Sequence, residues 1–291
     1  MQLAAGGARH ARHHRKRCAE CTSVNVDSRN ARIGVSIIIV SFNARADLVR
    51  CLESLHAAPP AASHEIIVVD NASTDGSVEA VRWWRDVRVV ELGLNGGFAH
   101  ANNVGLAMAG GDDILLLNSD TIVPAGAVDR LRAELARDPA VAVVGPRLVD
   151  DAGRAELSFG RMIGPFNEAR QKRLARSGAA EALTRRRGYP DWVSGACLMV
   201  RRADAEAVGG LDERFFMYTE DVDFCAAIRA RGRRILFTPD VEVVHLRGRS
   251  AASAPAATAA AYRRSRIAFY QKHHPAWAPV LKLYLRIRGQ F

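Results

Sequence analysis

Four apolar runs in the first half of the chain each give way to a polar cluster, and these clusters hold the residues able to do chemistry. "VSIIIV" leads into Ser41 and Asn43, "EIIVV" into Asp70, Asn71 and Asp75, "VRVVEL" into Asn95 and the Gly96-Gly97 pair, and "DILLL" into Asn118, Ser119 and Asp120. Farther along, "YTEDVDF" places Glu220, Asp221 and Asp223 together, and "HLRGRS" groups His245 with Arg247, Arg249 and Ser250. The turn after the first run reads "SFNARAD", which is not the GxGxxG of a dinucleotide site, and no Walker A sequence occurs. A phosphate-bearing ligand would then lean on a metal rather than on a glycine loop, and Asp120 is the natural carboxylate to hold it.

The elements that must position these clusters follow from hydrophobic patterning. Short continuous runs rich in Val and Ile are the mark of strands buried on both faces of a parallel sheet. Between them lie helical patterns: Leu48, Leu52 and Leu55 behind Asp47 and ended by Pro59-Pro60, then Val78, Val81 and Trp84 after Ser77. "AHANNVGLAMA" predicts a small-residue helix packed close to the sheet, Val128, Leu131 and Leu135 another helix, and "VAVVGP" a fifth strand. This alternation predicts an α/β, doubly wound, mostly parallel sheet of Rossmann-like type, whose ligands bind beyond the carboxyl ends of the strands. All four clusters fall on that rim. Residues 147–190 break the pattern and are expected to form an excursion covering the site. "WVSGACLMVRR" then predicts one more strand, followed by an acid-fronted helix that Gly232 closes.

Each cluster has a structural reading beside the chemical one. Asp70 can cap its own turn. Asp120 can cap a helix beginning near Pro124, and Glu220, Asp221 and Asp223 can complement a helix dipole behind an N-capping Thr219. The glycines at 96 and 97 serve backbone geometry in either account. Phe98, Phe215, Phe216 and Tyr218 suit core or lid packing.

Six strings in fixed order, "SIIIVSFN", "IIVVDNASTDGS", "NGGFAHANNVGL", "LLLNSD", "GGLDERFFMYTEDVDFCAAIRARG" and "HLRGRS", resemble the inverting family 2 glycosyltransferases of GT-A fold, especially their bacterial rhamnosyltransferase branch. The resemblance runs from about residue 35 to about residue 250. It implies that Asp70, with Asn71 and Asp75, meets the nucleobase, and a carboxylate matches the imide N–H of thymine or uracil. It implies that "NSD" stands where the family has DxD, with Asn118 replacing the first acid and Asp120 holding Mg2+ or Mn2+. His245 matches a position supporting the metal or diphosphate, and Arg247, Arg249 and Ser250 add phosphate contacts. Glu220-Asp221 matches the family's acid pair, Asp221 as general base toward the acceptor hydroxyl and Glu220 as a positioning group. The implied donor is dTDP-L-rhamnose, or alternatively a UDP-sugar, and the implied acceptor is a glycan or polyprenyl-diphosphate-linked sugar of a cell wall or surface polysaccharide.

The bulk numbers agree with a folded body and two unusual ends. Of the net charge of +10, residues 1–34 hold seven Arg and Lys against Glu20 and Asp27, and residues 262–291 hold seven with no acid. The middle is therefore slightly acidic, which argues against a nucleic-acid reader. Residues 1–33 lack periodicity and read as a disordered basic extension, with the CxxC of Cys18 and Cys21 a chance occurrence. Residues 34–250 form the catalytic domain, and 251–291 a basic segment with aromatic and aliphatic residues. That segment suits either an anionic membrane surface or a helix docked on the domain. No run approaches the length of a bilayer span and no signal-peptide pattern opens the chain, so the expected location is the cytoplasm, peripheral to the membrane at most. The rival classes are a non-catalytic nucleotide or glycan-binding module and a sugar-1-phosphate nucleotidyltransferase, the latter normally with a glycine-rich basic loop where "SFNARAD" stands.

Overall fold

The computed structural model describes residues 32–176, 178–246 and 255–289. Its centre is a nine-stranded sheet. β1 (Val35–Ser41) is buried at every position. Its side chains alternate between two cores: Ile37 and Ile39 face one, Ile38 and Val40 the other. Each fully buried Ile contributes roughly 1.5–3 kcal/mol relative to exposure. That is why the run is apolar throughout rather than alternating.

The first core is closed by α1 (Arg45–Ala57), through Leu48, Leu52 and Leu55, and by α4 (Ala127–Arg137), through Val128, Leu131 and Leu135. The second is closed by α3 (Phe98–Met108) and α8 (Glu220–Ala230), the latter through Phe224, Cys225 and Ile228. α3 lies close to the strands because its inner face is small: a Cβ on Gly105 would stand 2.5 Å from Ile38 Cγ2. Helices on both faces make the sheet doubly wound, as the alternation predicts.

β2 (His64–Asp70) and β3 (Val87–Glu91) extend the sheet on one side of β1, and β4 (Asp113–Asn118) pairs with it on the other, all in parallel. Beyond β4 the pattern is mixed. β10 (Cys197–Arg201) runs antiparallel between β4 and β6 (Val141–Val149). β11 (Arg234–His245) pairs parallel with β6, and the short β5 (Thr121–Ile122) closes the edge antiparallel to β11.

Several expectations need correction. α2 (Ser77–Val81) is too short to include Trp84, which lies in the following turn and packs edge-on against His56. "WVSGACLMVRR" is not one strand: β9 (Trp192–Val193) is separated from β10 by a turn at Gly195-Ala196, where a Cβ on Gly195 would crowd Asp221. β5 and β11 had no counterpart in the sequence reading, since Pro239 and Asp240 interrupt the apolar pattern of β11 and a register shift falls there. The excursion is structured. It holds the end of β6, β7 (Ala155–Glu156), β8 (Phe159–Gly160), α5 (Pro165–Arg176) and α6 (Ala179–Thr184). α7 (Arg202–Ala207) follows β10.

The C-terminal segment folds back as α9 (Pro255–His273), a 3-10 turn (Pro275–Trp277) and α10 (Ala278–Ile287). Phe269, Tyr270, Leu281 and Leu285 are buried against Phe215 and Val222 in a third hydrophobic cluster. The docked-helix reading therefore holds for this face. No described helix is long and apolar enough to cross a membrane.

Candidate active site

Sheet register brings the rim together. Ser41 at the end of β1 is paired with Asp70 on one side, and its neighbour Val40 with Asn118 on the other. Adjacent strands lie about 4.8 Å apart, so Asp70 and Asn118 flank the end of β1 within about 10 Å of one another. From Asn118 the connection continues across β4: its N–H donates to Ala196 O at 2.9 Å, and the neighbouring Gly195 N–H donates to Asp221 Oδ2 at 2.9 Å. On the other flank Asn71 donates to Gly97 O at 3.2 Å, and Phe98 N–H donates to Phe216 O at 2.8 Å, just ahead of the acidic helix. Register and hydrogen bonds thus place Asp70, Asn118 and the turn bonded to Asp221 along the same end of the sheet.

Hydrogen-bond accounting sorts the candidates into two groups. The first is engaged in the scaffold. Asn43, at φ +48°, accepts Thr74 N–H at 2.8 Å, and Asp75 accepts Arg45 N–H at 2.9 Å and Ser77 N–H at 3.0 Å. Burial works against ionisation of Asp75, but the Ser77 hydroxyl, which also donates to it, and these backbone bonds outweigh that and lower its pKa. Asn95 accepts Gly97 N–H, and Asn71 accepts Gly96 N–H while donating to Gly97 O. These residues knit the strand-end turns to one another. Gly97 is required by geometry: its φ is +89°, and a Cβ there would stand 2.3 Å from Phe216 O. That close approach couples the third strand-end turn to the loop before α8.

The second group has buried polar atoms that no described residue satisfies: Ser41 Oγ, Asp70 Oδ1, Asn118 Oδ1, Thr219 Oγ1 and Glu220 Oε2. Buried polar atoms are nearly always paired, and each orphan costs about 1–3 kcal/mol. Other buried atoms without a described partner lie elsewhere, among them Asn102 Oδ1, Ser158 Oγ, Arg202 Nε and Arg233 Nε, so it is the sequence candidates' place at the strand ends that singles these five out. Asp70 belongs to both groups, because Oδ2 accepts Ser73 N–H at 2.8 Å as a turn cap while Oδ1 stays open.

The acidic helix is held under strain. Tyr218 and Thr219 both adopt left-handed backbone conformations, φ +69° and +67°, immediately before Glu220. Such residues cost of order 1–3 kcal/mol each. Thr219 makes no side-chain cap, so the N-cap alternative fails. The C-terminal helix braces this turn from behind. Ser265 Oγ donates to Met217 O at 2.7 Å, Tyr262 packs edge-on against Tyr218, and Lys272 and His273 reach Asp223 at 2.8 and 2.6 Å. Asp223, turned toward α9, is thereby separated in role from its two acidic neighbours. Burial lifts the Glu220 carboxyl well above the ordinary range, with the adjacent Asp221 charge adding to it. Burial also raises Asp221, against the hydrogen bonds from Gly195 and Val222 that favour its charged form.

Asp120 follows β4 and is buried. It does not cap a helix, because α4 begins only at Ala127 behind Gly126. Its Oδ1 lies 3.3 Å from His245 Nε2, and β5 pairs His245 with Thr121, which fixes this juxtaposition. The other ring nitrogen, Nδ1, lies 3.3 Å from Glu156 Oε2. Burial disfavours the imidazolium, but the two carboxylates outweigh it and lift the His245 pKa to about 9. Glu156 was missed by sequence reasoning: it sits in the excursion on a two-residue strand, where no pattern singles it out. Arg247, Arg249 and Ser250 lie outside the described residues.

Among the described residues no group of three His, Cys, Asp or Glu is arranged to hold a metal ion. The donor present is the Asp120 carboxylate, with the orphaned Asn118 Oδ1 on the same strand end; His245, protonated between two carboxylates, would join them only on giving up its proton. That sparse oxygen-rich set fits a cation that keeps several waters and leans on substrate phosphates.

Comparison with known proteins agrees with this architecture. The family model described as "Glycosyl transferase family 2" matches residues 36–207. The chain is 31% identical over 271 residues to an N-acetylglucosaminyl-diphospho-decaprenol L-rhamnosyltransferase of Mycobacterium tuberculosis, covering 83% of this chain and 85% of that protein. Among solved structures, a mannosyltransferase from Pyrobaculum calidifontis in complex with GDP-Man and Mn2+ aligns with TM-score 0.59 at 22% identity, over 87% of this chain and 69% of that one. GalNAc-T7 with UDP, GalNAc and Mn2+ aligns with TM-score 0.57 at 18% identity, over 73% and 43%. The mostly parallel doubly wound sheet and this matching sequence belong together: the chain is a member of glycosyltransferase family 2, with the GT-A fold.

Proposed function

We propose that this glycosyltransferase moves L-rhamnose from dTDP-L-rhamnose to a lipid-linked or polysaccharide acceptor, inverting the anomeric centre. The observation that carries the reading is that Ser41, Asp70 and Asn118 keep unsatisfied polar atoms at the ends of neighbouring strands, and that the turn holding Asn118's partner Ala196 is hydrogen-bonded through Gly195 to Asp221, beside the likewise unsatisfied Glu220. The rhamnose assignment is supported by the similarity to a protein that bears that activity in its name.

In this reading Asp70 Oδ1, which accepts no bond from a described residue, accepts the imide N–H of thymine, while Oδ2 caps the turn through Ser73 N–H. Asn43, Asn71, Asp75, Asn95, Gly96 and Gly97 shape the nucleotide side of the cleft. Ser41 and Asn118 offer polar atoms to the donor, and Arg247 is assigned to the diphosphate. Asp120, supported by His245 and oriented by Glu156, holds a divalent cation, Mg2+ or Mn2+. When bound, such an ion neutralises charge developing on the leaving diphosphate.

Asp221 is the general base. Both of its oxygens accept backbone N–H bonds, Oδ2 from Gly195 and Oδ1 from Val222, which fix its orientation. Its raised pKa makes it a better proton acceptor than an ordinary carboxylate. The acceptor oxygen attacks C1 from the face opposite the nucleotide. Its proton passes to Asp221 as the bond forms, and the C1–O bond to phosphate breaks with its electron pair leaving on the nucleoside diphosphate. Glu220, protonated more readily than its neighbour, donates a hydrogen bond to a sugar hydroxyl.

The test is a donor screen: the purified protein with Mg2+ or Mn2+, several nucleotide sugars, and detection of released nucleoside diphosphate. Turnover of dTDP-L-rhamnose above all others is expected. Turnover of a UDP-sugar alone would overturn the rhamnose assignment and leave the pyrimidine reading of Asp70 intact.

A further inference from the structure

α10 is apolar on two faces, and only one of them is packed. Ala278, Leu281 and Leu285 are buried against the cluster that contains Phe215 and Val222. The opposite stripe is open: Val280, Leu283, Tyr284 and Ile287 are 53, 59, 46 and 79% exposed. Trp277, ahead of the helix, meets Phe166 of α5 edge-on with ring centroids 6.2 Å apart, and both are exposed. The stripe therefore continues onto a second helix. Single exposed apolar residues are ordinary, but a contiguous patch across two elements marks an interaction site.

The charge around the patch has one sign. Lys282, Arg286 and Arg288 lie on or directly after α10, and Arg170 and Arg173 follow Phe166 along one side of α5 at helical spacing. The acid of α5, Glu168, is turned inward against Arg266. No Asp or Glu occurs anywhere in residues 243–291. Aromatic and aliphatic side chains bordered by Lys and Arg match the headgroup and upper acyl region of an anionic bilayer. A second copy would instead set this basic border against itself, which like-charge repulsion disfavours.

We propose that the α5–α10 face docks the protein on an anionic lipid surface. The docking deepens the lipid-linked acceptor reading and rests on it for its purpose. The buried side of α10 shares a cluster with Val222, the residue after Asp221. One helix diameter, about 10 Å, thus separates the lipid-facing stripe from the packing beneath the acidic helix. A sugar carried on a membrane diphosphate would be met at the surface where its carrier resides.

The experiment is vesicle sedimentation of the full chain with phosphatidylcholine containing about a third phosphatidylglycerol, and with phosphatidylcholine alone, at low and high salt. Binding to the anionic vesicles that weakens with salt is expected. The Leu283→Ser/Ile287→Ser double variant should lower the partition coefficient at least tenfold, and Lys282→Gln/Arg288→Gln about fivefold per charge removed. Leu283, Ile287 and Arg288 are exposed and Lys282 is half-buried, so melting temperature and nucleoside diphosphate release without vesicles should stay close to the parent. Equal sedimentation of parent and serine variant would overturn the docking face. So would absence of vesicle binding combined with a dimer, seen in ultracentrifugation, that the serine substitutions dissociate. Loss of sedimentation with donor turnover intact separates failure of docking from failure of the transferase reading.

Discussion

Asp221→Asn is the sharpest test of the chemistry, because the structure lets its structural and chemical consequences be weighed separately. Asn has nearly the same shape and keeps one acceptor, so one of the two backbone bonds, from Gly195 at 2.9 Å or from Val222 at 2.8 Å, survives. The other N–H then faces an amide nitrogen, at a cost of about 1 kcal/mol. That cost is offset in part, since the burial that raises the Asp221 pKa no longer opposes a charge. The melting temperature should therefore move by no more than about 2–4 °C, the shift that 1 kcal/mol produces in a domain of this size. A positioned general base is worth 10²–10⁴ in rate, or about 2.7–5.4 kcal/mol at 1.36 kcal/mol per tenfold. Donor affinity is assigned to other residues and should stay within about threefold. The assay pairs nucleoside diphosphate release under saturating donor with calorimetric titration of donor analogue. Turnover within threefold of the parent would refute the base assignment and favour a role for Asp221 in holding the β9–β10 turn. An unchanged variant that binds nucleotide but never turned over would point to a binding module.

Because burial raises Asp221, the acid limb of kcat/KM should lie above the usual carboxylate pKa of about 4, activity falling as pH drops through the raised value; the limb should vanish in Asp221→Asn. Glu156→Gln removes one of the two carboxylates that raise His245, so the ring should titrate below its parent value of about 9, and an NMR titration that shows no downward shift would refute the Glu156 contact. Gly97→Ala places a Cβ 2.3 Å from Phe216 O at a positive φ, and thermal denaturation should fall by several degrees, beyond the 1–3 kcal/mol of backbone strain alone. Phe269→Ala removes a fully buried ring that packs on Phe215, and urea denaturation should show a loss of about 3–5 kcal/mol.

The legible part of the fold was the part whose residues carry a period. β1, β2 and β4 were read from runs of Val, Ile and Leu, because burial on both faces leaves little other composition available, and the half-exposed β3 from its three valines. β11 was illegible for the opposite reason: Arg234 and Asp240 and Glu242 alternate outward from an edge-ward strand that Pro239 bends. Within the site, residue type nominated the candidates, but it could not say which polar atoms were already spent. Asp75 and Asn43 look as promising on paper as Asp70, yet their acceptors are used within the turns. Asp223 looks equivalent to Asp221, yet it is claimed by Lys272 and His273 from a helix fifty residues downstream in sequence.

Sequence alone determined the sheet's alternation, the rim on which its polar clusters fall, and the family, since each rests on local pattern and on motifs in fixed order. Tertiary structure alone decided the pairing of His245 with both Asp120 and Glu156, the bracing of the strained Tyr218-Thr219 turn by α9, and the face of α10 left uncovered. Those depend on which atoms meet across long sequence separations and on which bonding capacity is left over when they do, and neither quantity is written in the local order of residues.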